Sequence, residues 1–390
     1  MRQTSMEKMH IFIVMFFMSL VMSVQAPIFA PYAAKLGASS LVIGIMLSLA
    51  SFTNLTGNLI AGPLVDRFGK KVFITLPIFV SGGLFIAHGL ATSSANLLLL
   101  RALNGFSLAF LIPSAFALLS GYAKNSHQQG KNMAINGILG TIASIVAPII
   151  GGMMGSAFGY ENTYYTIGTA LLLIGIYTTL CLREKESIIV VGSHRKAFSL
   201  IQVLQKKSLQ MVFLTGFALM YIHGVIIYEV PYLAVEQGLS TAITGVLFSF
   251  FGVGTFFSLS LFFINRFNPM KRIMFGLFGM CMSLFAVFTQ LLTLPLMLFL
   301  LGFFFGIMMP AMATALTDTV SSDGHGRAFG VMSAVYSLGM ITSSFITGII
   351  RDVLSPYFVA FLIGMLTLMI LGYSRIQSGS PKTARTPYQY

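Results

Sequence analysis

Gly62-Pro63-Leu64-Val65-Asp66-Arg67-Phe68-Gly69-Lys70-Lys71 lies between two long apolar runs, 39–62 and 72–94. The stretch therefore reads as a tight loop joining two membrane helices. Gly62 lets the end of one helix approach a neighbour closely, and Gly69 permits a turn that few other residues make. Asp66 falls at the membrane edge, where an unpaired carboxylate is costly, so a partner cation or a helix N-terminus is expected beside it. Arg67, Lys70 and Lys71 mark the loop as cytoplasmic.

The composition agrees with a membrane setting. The chain has 390 residues, is 56% hydrophobic and only 8% charged, with a mean hydropathy of +0.88. Soluble proteins carry about a quarter of their residues as charges, so water is not the main solvent here. A span needs about 20 apolar residues, and with short loops this length accommodates around twelve. The net charge of +13 would suit nucleic acid, but its cations sit in short loops, which points to membrane topology instead. Cys181 and Cys281 fall in or beside different apolar runs and offer neither a disulfide framework nor a metal spacing. Arg2 and Lys8 ahead of the run from Ile11 look superficially like a signal peptide. That run continues to about Tyr32 and is long enough to span, so it is read as an uncleaved first helix. The tail after Arg375 is polar and expected to be disordered.

Further apolar runs fall at 11–33, 96–121, 132–156 and 162–182 in the first half. In the second half they fall at 209–235, 240–264, 272–292, 295–319, 328–350 and 354–374. Residues 183–208, with Arg183, Lys185, Arg195, Lys196, Lys206 and Lys207, form the longest and most basic internal segment. The expected organisation is a six-helix bundle over 1–182, a basic cytoplasmic linker over 183–208, a second bundle over 209–374 and a cytoplasmic tail over 375–390. With both termini inside, only Lys35 and Arg351 lie outside and only Arg101 lies within a span, an orientation the positive-inside rule favours.

The halves repeat each other. Gly105-Phe-Ser-Leu-Ala-Phe-Leu-Ile-Pro113 in span 4 mirrors Gly302-Phe-Phe-Phe-Gly-Ile-Met-Met-Pro310 in span 10, and Gly130-Lys131 mirrors Gly326-Arg327. The loop at 62–71 has a degraded copy at Asn265-Arg266-Phe267-Asn268-Pro269, where Asn265 stands in the place of Asp66. Such internal symmetry is usual in secondary transporters. With these residues in view, the chain resembles the major facilitator superfamily. Gly62, Leu64, Asp66, Arg67, Gly69, Lys70 and Lys71 match its signature G-x-L-x-D-R-x-G-R/K-K between the second and third spans, with Lys70 for the more usual arginine. The resemblance implies an all-α membrane protein, twelve transmembrane helices in two pseudo-symmetric six-helix bundles. Among its members the chain looks most like the bacterial twelve-span drug/proton antiporters.

Arg101-Ala-Leu-Asn-Gly105 in span 4 is similar to a second pattern, R-x-x-x-G, associated with proton-coupled members. An arginine about two turns from the outer end of its helix avoids a cost of several kcal/mol only by pairing, hydration or snorkelling. Arg101 is therefore read either as a direct participant in proton or substrate handling or as a brace bonded to backbone carbonyls of span 1. Span 5 carries Gly137, Gly140, Ala147-Pro148, Gly151, Gly152 and Gly155. Pro148 removes a helix hydrogen bond and favours a kink, while Gly151 and Gly155 form a small-residue face for close packing. The run resembles the G-x-x-x-G-P-x-x-G-G pattern of drug/proton antiporters, with Ala147 for the glycine before proline and a different upstream spacing.

Ten acidic residues exist in the chain, and Glu229 in span 7 is the one placed well inside a span. It stands roughly 10 Å outward of His223 at about 1.5 Å rise per residue. Tyr221, Val225, Tyr228, Glu229 and Tyr232 follow helical spacing and share a face. In this fold the first, fourth, seventh and tenth helices line the central cavity, so the resemblance implies that this face meets substrate. Burial disfavours a charged carboxylate, as proton coupling requires, and a carboxylate among tyrosines suits an organic cation. The alternative is a Glu229 that sits at the outer mouth and pairs with a cation. His223 is a candidate for titration near neutral pH. Asp318 and Asp66 are expected at a cytoplasmic gate, with Asp66 meeting the N-terminus of span 11 when that side closes.

Gln25 stands where many multidrug members carry an acid in span 1, so coupling is expected to use another group, with Glu229 first. No phosphate-cradling G-x-x-x-x-G-K-S/T loop occurs. The expected function is proton-coupled export of small organic compounds or drugs by alternating access, without enzymatic activity, metal or cofactor, and driven by the proton gradient. The alternative is a dedicated exporter or importer of one metabolite, such as a sugar, a siderophore or an amino-acid derivative. Expected partners are a small-molecule substrate, protons and the lipid bilayer, with no nucleic acid. The expected state is a monomer in the inner membrane with both termini cytoplasmic.

Overall fold

The structure is a computed structural model that describes residues 2–122, 126–184, 205–320 and 325–379. Among them twelve helices are long and apolar enough to cross a membrane, and no strand occurs. In chain order, spans 1 to 6 are Met6–Lys35, Ser40–Ala61, Val72–Gly89, Ser94–Gly121, Gln128–Phe158 and Tyr160–Cys181. Spans 7 to 12 are Lys207–Glu236, Thr241–Ser260, Pro269–Phe288, Leu294–Thr319, Arg327–Ile350 and Pro356–Ser374. Most of the segment expected as a linker, 185–204, and the tail from 380 lie outside the described residues.

Two spans are broken, each by a proline. Span 1 consists of Arg2–Val24 and Ala26–Lys35 on either side of Gln25. Pro27 cannot donate a backbone bond, and its ring crowds the carbonyl four residues earlier. The chain restarts with Ile28 and Phe29 both donating to the Gln25 carbonyl, at 3.2 and 3.0 Å. Span 4 breaks at Phe110 between Ser94–Ala109 and Leu111–Gly121, where Pro113 has the same effect on Ala109. Span 5, by contrast, continues through Pro148 as one helix, Ser126–Phe158. Span 8 stops at Ser260, short of the expected 264, and Phe262–Arg266 forms a 3-10 turn. Phe262 and Phe263 are exposed there, and their hydropathy extends the apolar run without extending the helix.

The two faces of the bundle are held differently. On the face where spans 2 and 3 connect, here the basic face, the Glu184 carboxylate accepts from Lys70 N at 2.8 Å and Lys71 N at 3.1 Å. These are orphan donors at the start of span 3, where a negative charge is favourable. Gly69 makes the turn with φ +96°, and an added Cβ would stand 2.9 Å from the Glu184 oxygen. In the second half Asn268 occupies the equivalent place and caps span 9 itself, accepting from Met270 N at 2.9 Å and Lys271 N at 3.4 Å. One loop thus borrows a carboxylate where its copy uses its own side chain.

Close backbone contacts repeat with the same symmetry. A Cβ at Gly105 of span 4 would stand 2.3 Å from the Ala50 carbonyl oxygen of span 2. One at Gly302 of span 10 would stand 1.9 Å from that of Phe251 in span 8. Between the halves, span 2 meets span 11 and span 5 meets span 8. A Cβ at Gly44 would stand 2.5 Å from the Ser344 carbonyl oxygen, and one at Gly245 would stand 2.2 Å from that of Pro148. Small residues bring backbones together in lipid, where no hydrophobic force joins one helix to another.

Candidate functional site

Five hydrogen bonds between described residues join the two halves toward the face opposite the basic one. Tyr228 Oη donates to the Ser40 carbonyl at 2.5 Å, and Ser40 Oγ donates to Asp352 Oδ2 at 3.2 Å. Ser48 Oγ donates to Ile341 O at 2.8 Å. Thr241 Oγ1 donates to Gly152 O at 2.9 Å, and Ser249 Oγ donates to Ile145 O at 2.6 Å. The span 5 glycines complete this seal: Gly151 lies on the Val24 carbonyl at the break in span 1, while Gly152 and Gly155 lie on Thr241 of span 8. Gly140, further toward the basic face, meets only Ser19 Oγ and borders open space.

That open space is a cavity of about 680 Å³, lined from both halves. Spans 1, 2, 4 and 5 supply most of the wall, and Ile227, Ser337, Met340 and Ser344 supply the rest. Its polar centre is built at the break in span 1. Gln25 is 4% exposed, and its side-chain oxygen accepts from Arg101 Nη1. The Arg101 guanidinium also lies over the Phe29 ring, 4.1 Å from its centroid, a contact that stabilises a cation away from water. One turn on, Asn104 is buried, and its Oδ1 has no hydrogen-bond partner. Asn54, Ser51 and Asn136 add polar groups among Met15, Met18, Met22 and Phe116. Arg101 is thus braced by the Gln25 side chain rather than by span 1 carbonyls, because the break turns that residue toward it.

Span 7 is placed differently from the expectation. Neither Glu229 nor Tyr221, His223, Tyr228 or Tyr232 lines the central cavity; Ile227 is the span 7 residue that does. The backbone at Phe217–Tyr221 presses on Gly339 of span 11, and Gly224 lies on Ser343, so this helix is enclosed on the side the tyrosines share. His223 sits between the rings of Phe251 and Phe305, at 5.2 and 5.3 Å. Tyr221 is buried with its hydroxyl unpartnered.

Glu229 is buried and paired. Arg351 Nε donates to its Oε1 at 3.0 Å, with side-chain exposures of 5% for Arg351 and 3% for Glu229. Arg351 also grips Glu236 with two bonds, 2.9 and 3.0 Å, and lies 3.6 Å above the Tyr232 ring. Tyr232 in turn stacks on Tyr228. Burial disfavours the Arg351 charge, but its bonds to Glu236 and Glu229 outweigh that and raise its pKa above the ordinary guanidinium value. The cation expected above the span 7 tyrosines is therefore Arg351 itself. With Asp352 accepting from Ser40 of span 2, the cluster reaches across to the first half. The sequence placed Arg351 in an outer loop but carried no signal of its partners, which lie 122 and 115 residues away.

At the basic face, Arg67 lies over the Phe68 ring and Asp318 is exposed. The surroundings of Gly62 and the side chains of Pro63 and Asp66 lie outside what the structure describes, and with them the expected gate contact of Asp66. Among the described residues no cluster of histidine, cysteine or acids has the makings of a metal site.

Comparison with known proteins agrees with this architecture. The family description "Major Facilitator Superfamily" matches residues 11–344 and 265–386. The chain belongs to that family of membrane transporters. An uncharacterized MFS-type transporter of Methanocaldococcus jannaschii is 24% identical over 348 residues, covering 84% of this chain and 87% of that one. Multidrug resistance protein MdtG of Escherichia coli is 25% identical over 338 residues, 83% and 81% of the two chains. The 4-hydroxybenzoate transporter PcaK of Acinetobacter baylyi is 28% identical over 216 residues, 53% of this chain and 43% of that one. Among solved structures, the nucleoside transporter NupG superposes with a TM-score of 0.77 at 14% identity, covering 95% of this chain and 99% of that chain. A bacterial Spinster homologue in an inward-facing, unoccupied conformation superposes at 0.72 and 19% identity, covering 96% and 93%.

Proposed function

We propose that this transporter moves small organic compounds out of the cell by alternating access, driven by the proton gradient. The observation that carries the reading is the cavity lined from both halves, with five hydrogen bonds between described residues joining the halves on the side away from the basic face. With the basic face read as cytoplasmic by the positive-inside rule, both termini lie inside, and the state seen here is the inward-open one. The span 5 glycine–proline run and the relation to MdtG support export. The polar centre at Gln25 and Arg101 is the substrate site, and the cluster around Arg351 is the outer latch.

Glu229 links the latch to protons. Protonation removes the charge that holds Arg351 and loosens the bridge from Asp352 to Ser40, favouring the state in which the outer face is open. A proton shifts this equilibrium only because it binds the two states with different affinity. The paired, ionised Glu229 belongs to the inward-open state and the protonated one to its opposite.

The test uses everted membrane vesicles energised by respiration, with pH-gradient dissipation followed as amphiphilic dyes, quinolones, sugars and organic acids are added. Dissipation by several unrelated amphiphiles, lost at least tenfold in Glu229→Gln, is the expected result. A response to one polar compound alone would favour a dedicated transporter, the reading that the fixed Gln25–Arg101 pair supports. A Glu229→Gln protein still coupled to the pH gradient would remove Glu229 from the mechanism.

A further inference from the structure

Among the described residues that line the central cavity, Arg101 is the single ionised side chain, and none is an acid, a lysine or a histidine. Its described neighbours on the protein side are neutral as well: the Gln25 amide, the Phe29 ring and Asn104. Among the described residues no acid forms an ion pair with Arg101; Glu161 pairs with Lys35, and Glu229 pairs with Arg351 in a separate recess. Arg101 Nε and Asn104 Oδ1 are both buried without a hydrogen-bond partner.

A cation in such a place is uncompensated. In a poorly hydrated pocket a guanidinium attracts an anion and repels a cation far more strongly than in water, and its planar donors pair bidentately with a carboxylate. The rest of the wall is apolar and soft. Met15, Met18, Met22, Phe29 and Phe116 surround the polar centre, and methionine adapts to ligands of varied shape. The volume of about 680 Å³ lies within the range of sites for drug-sized molecules.

We propose that the substrate is an amphipathic organic anion, with one carboxylate on Arg101 and an apolar, preferably aromatic, body against the methionines and Phe116. This rests on the reading of the central cavity as the substrate site and adds the charge of what enters it. Gln25 acts as a positioning residue: it holds one nitrogen of Arg101, so the guanidinium faces the cavity before the ligand arrives. Asn104 offers a polar atom to a hydroxyl or amine on the same ligand.

The test compares three probes of one shape and different charge, binding to the purified full chain in lipid nanodiscs. These are 2-naphthoate, the neutral 2-naphthamide and the cationic 2-naphthylmethylammonium, each titrated by calorimetry. Naphthoate should bind at least tenfold more tightly than the other two. Arg101→Gln should abolish that preference, and Arg101→Lys should keep part of it. Equal or tighter binding of the cationic probe to the unmodified protein would overturn the inference, whether or not either variant folds. So would a naphthoate preference that survives in Arg101→Gln, or the absence of binding by all three. Naphthoate that binds through Arg101 but does not move across vesicles would leave the anion site standing and sink the transport reading. A cationic probe that is transported would do the reverse.

Discussion

Replacing Arg351 with alanine will lower the stability of the folded protein by about 3–5 kcal/mol at neutral pH, the usual cost of removing one partner from a buried ion pair. The size of the effect follows from Glu229, whose side chain is 3% exposed. With Arg351 gone, this carboxylate keeps no cation among its described contacts and must either stay charged in the interior or take up a proton. Glu236 and Asp352, at 49% and 66% exposure, lose the same partner but turn to water, so they add little. The Tyr232 ring loses the guanidinium that covers it. Thermal unfolding in nanodiscs measures the loss, and the double variant Arg351→Met, Glu229→Met should regain most of it by packing apolar groups in place of the pair. The loss should also shrink as the pH is lowered, since a protonated Glu229 no longer carries an unpaired charge. An Arg351→Ala protein as stable as the parent would show that the pair does not hold the closed side together.

Gly152→Leu should block transport. A Cβ at Gly152 would stand 2.3 Å from the Thr241 carbonyl oxygen, and that neighbour is backbone, so no rotamer change relieves the overlap. Overpacking costs about 1–3 kcal/mol, sometimes more. If the cost falls on the state in which spans 5 and 8 touch, the ratio of closed to open outer faces drops about 5- to 150-fold. Leucine also forces aside Gly245, which lies 3.1 Å from the same Cβ. The variant should insert and fold, because the contact lies between the halves rather than within one of them, and yet turn over at most a few per cent as fast as the parent. Gly137→Ala, on an exposed face of span 5, is the control. Its Cβ meets nothing within 4 Å, and transport should change less than twofold. Equal activity in Gly152→Leu would mean that this face does not need to seal.

The twelve spans were legible because hydropathy and the short basic loops act locally, and the repeat of Gly105–Pro113 in Gly302–Pro310 marked the two equivalent packing sites. Gln25 and Arg101 stood out for a related reason. Polar groups in apolar runs are costly, so each raises the question of its partner, and the structure joins these two. The span 7 tyrosines were harder. Helical spacing says which residues share a face but not what that face meets, and span 7 is buried nearly all round, so its periodicity points nowhere in particular. The same limit hid the latch, since Glu229 and Arg351 are brought together by the fold alone. Glu184, which caps the loop at 69–71, sits at the edge of a basic segment and read as part of it. The break at Gln25 follows from Pro27, yet Pro148 leaves span 5 unbroken, so a proline's position in the span does not by itself tell its effect.

The central claim is that one cavity around Arg101 opens alternately to the two faces. Its most direct test places a single cysteine at Ser23, which lines the cavity, in a chain whose Cys181 and Cys281 are replaced by serine. A membrane-impermeant maleimide is then applied to everted and to right-side-out vesicles. Rapid labelling in everted vesicles and protection in right-side-out ones is the predicted result, with the preference reversed when Gly152→Leu is added. Equal labelling from both sides, or no change of side with Gly152→Leu, would contradict alternating access through this cavity.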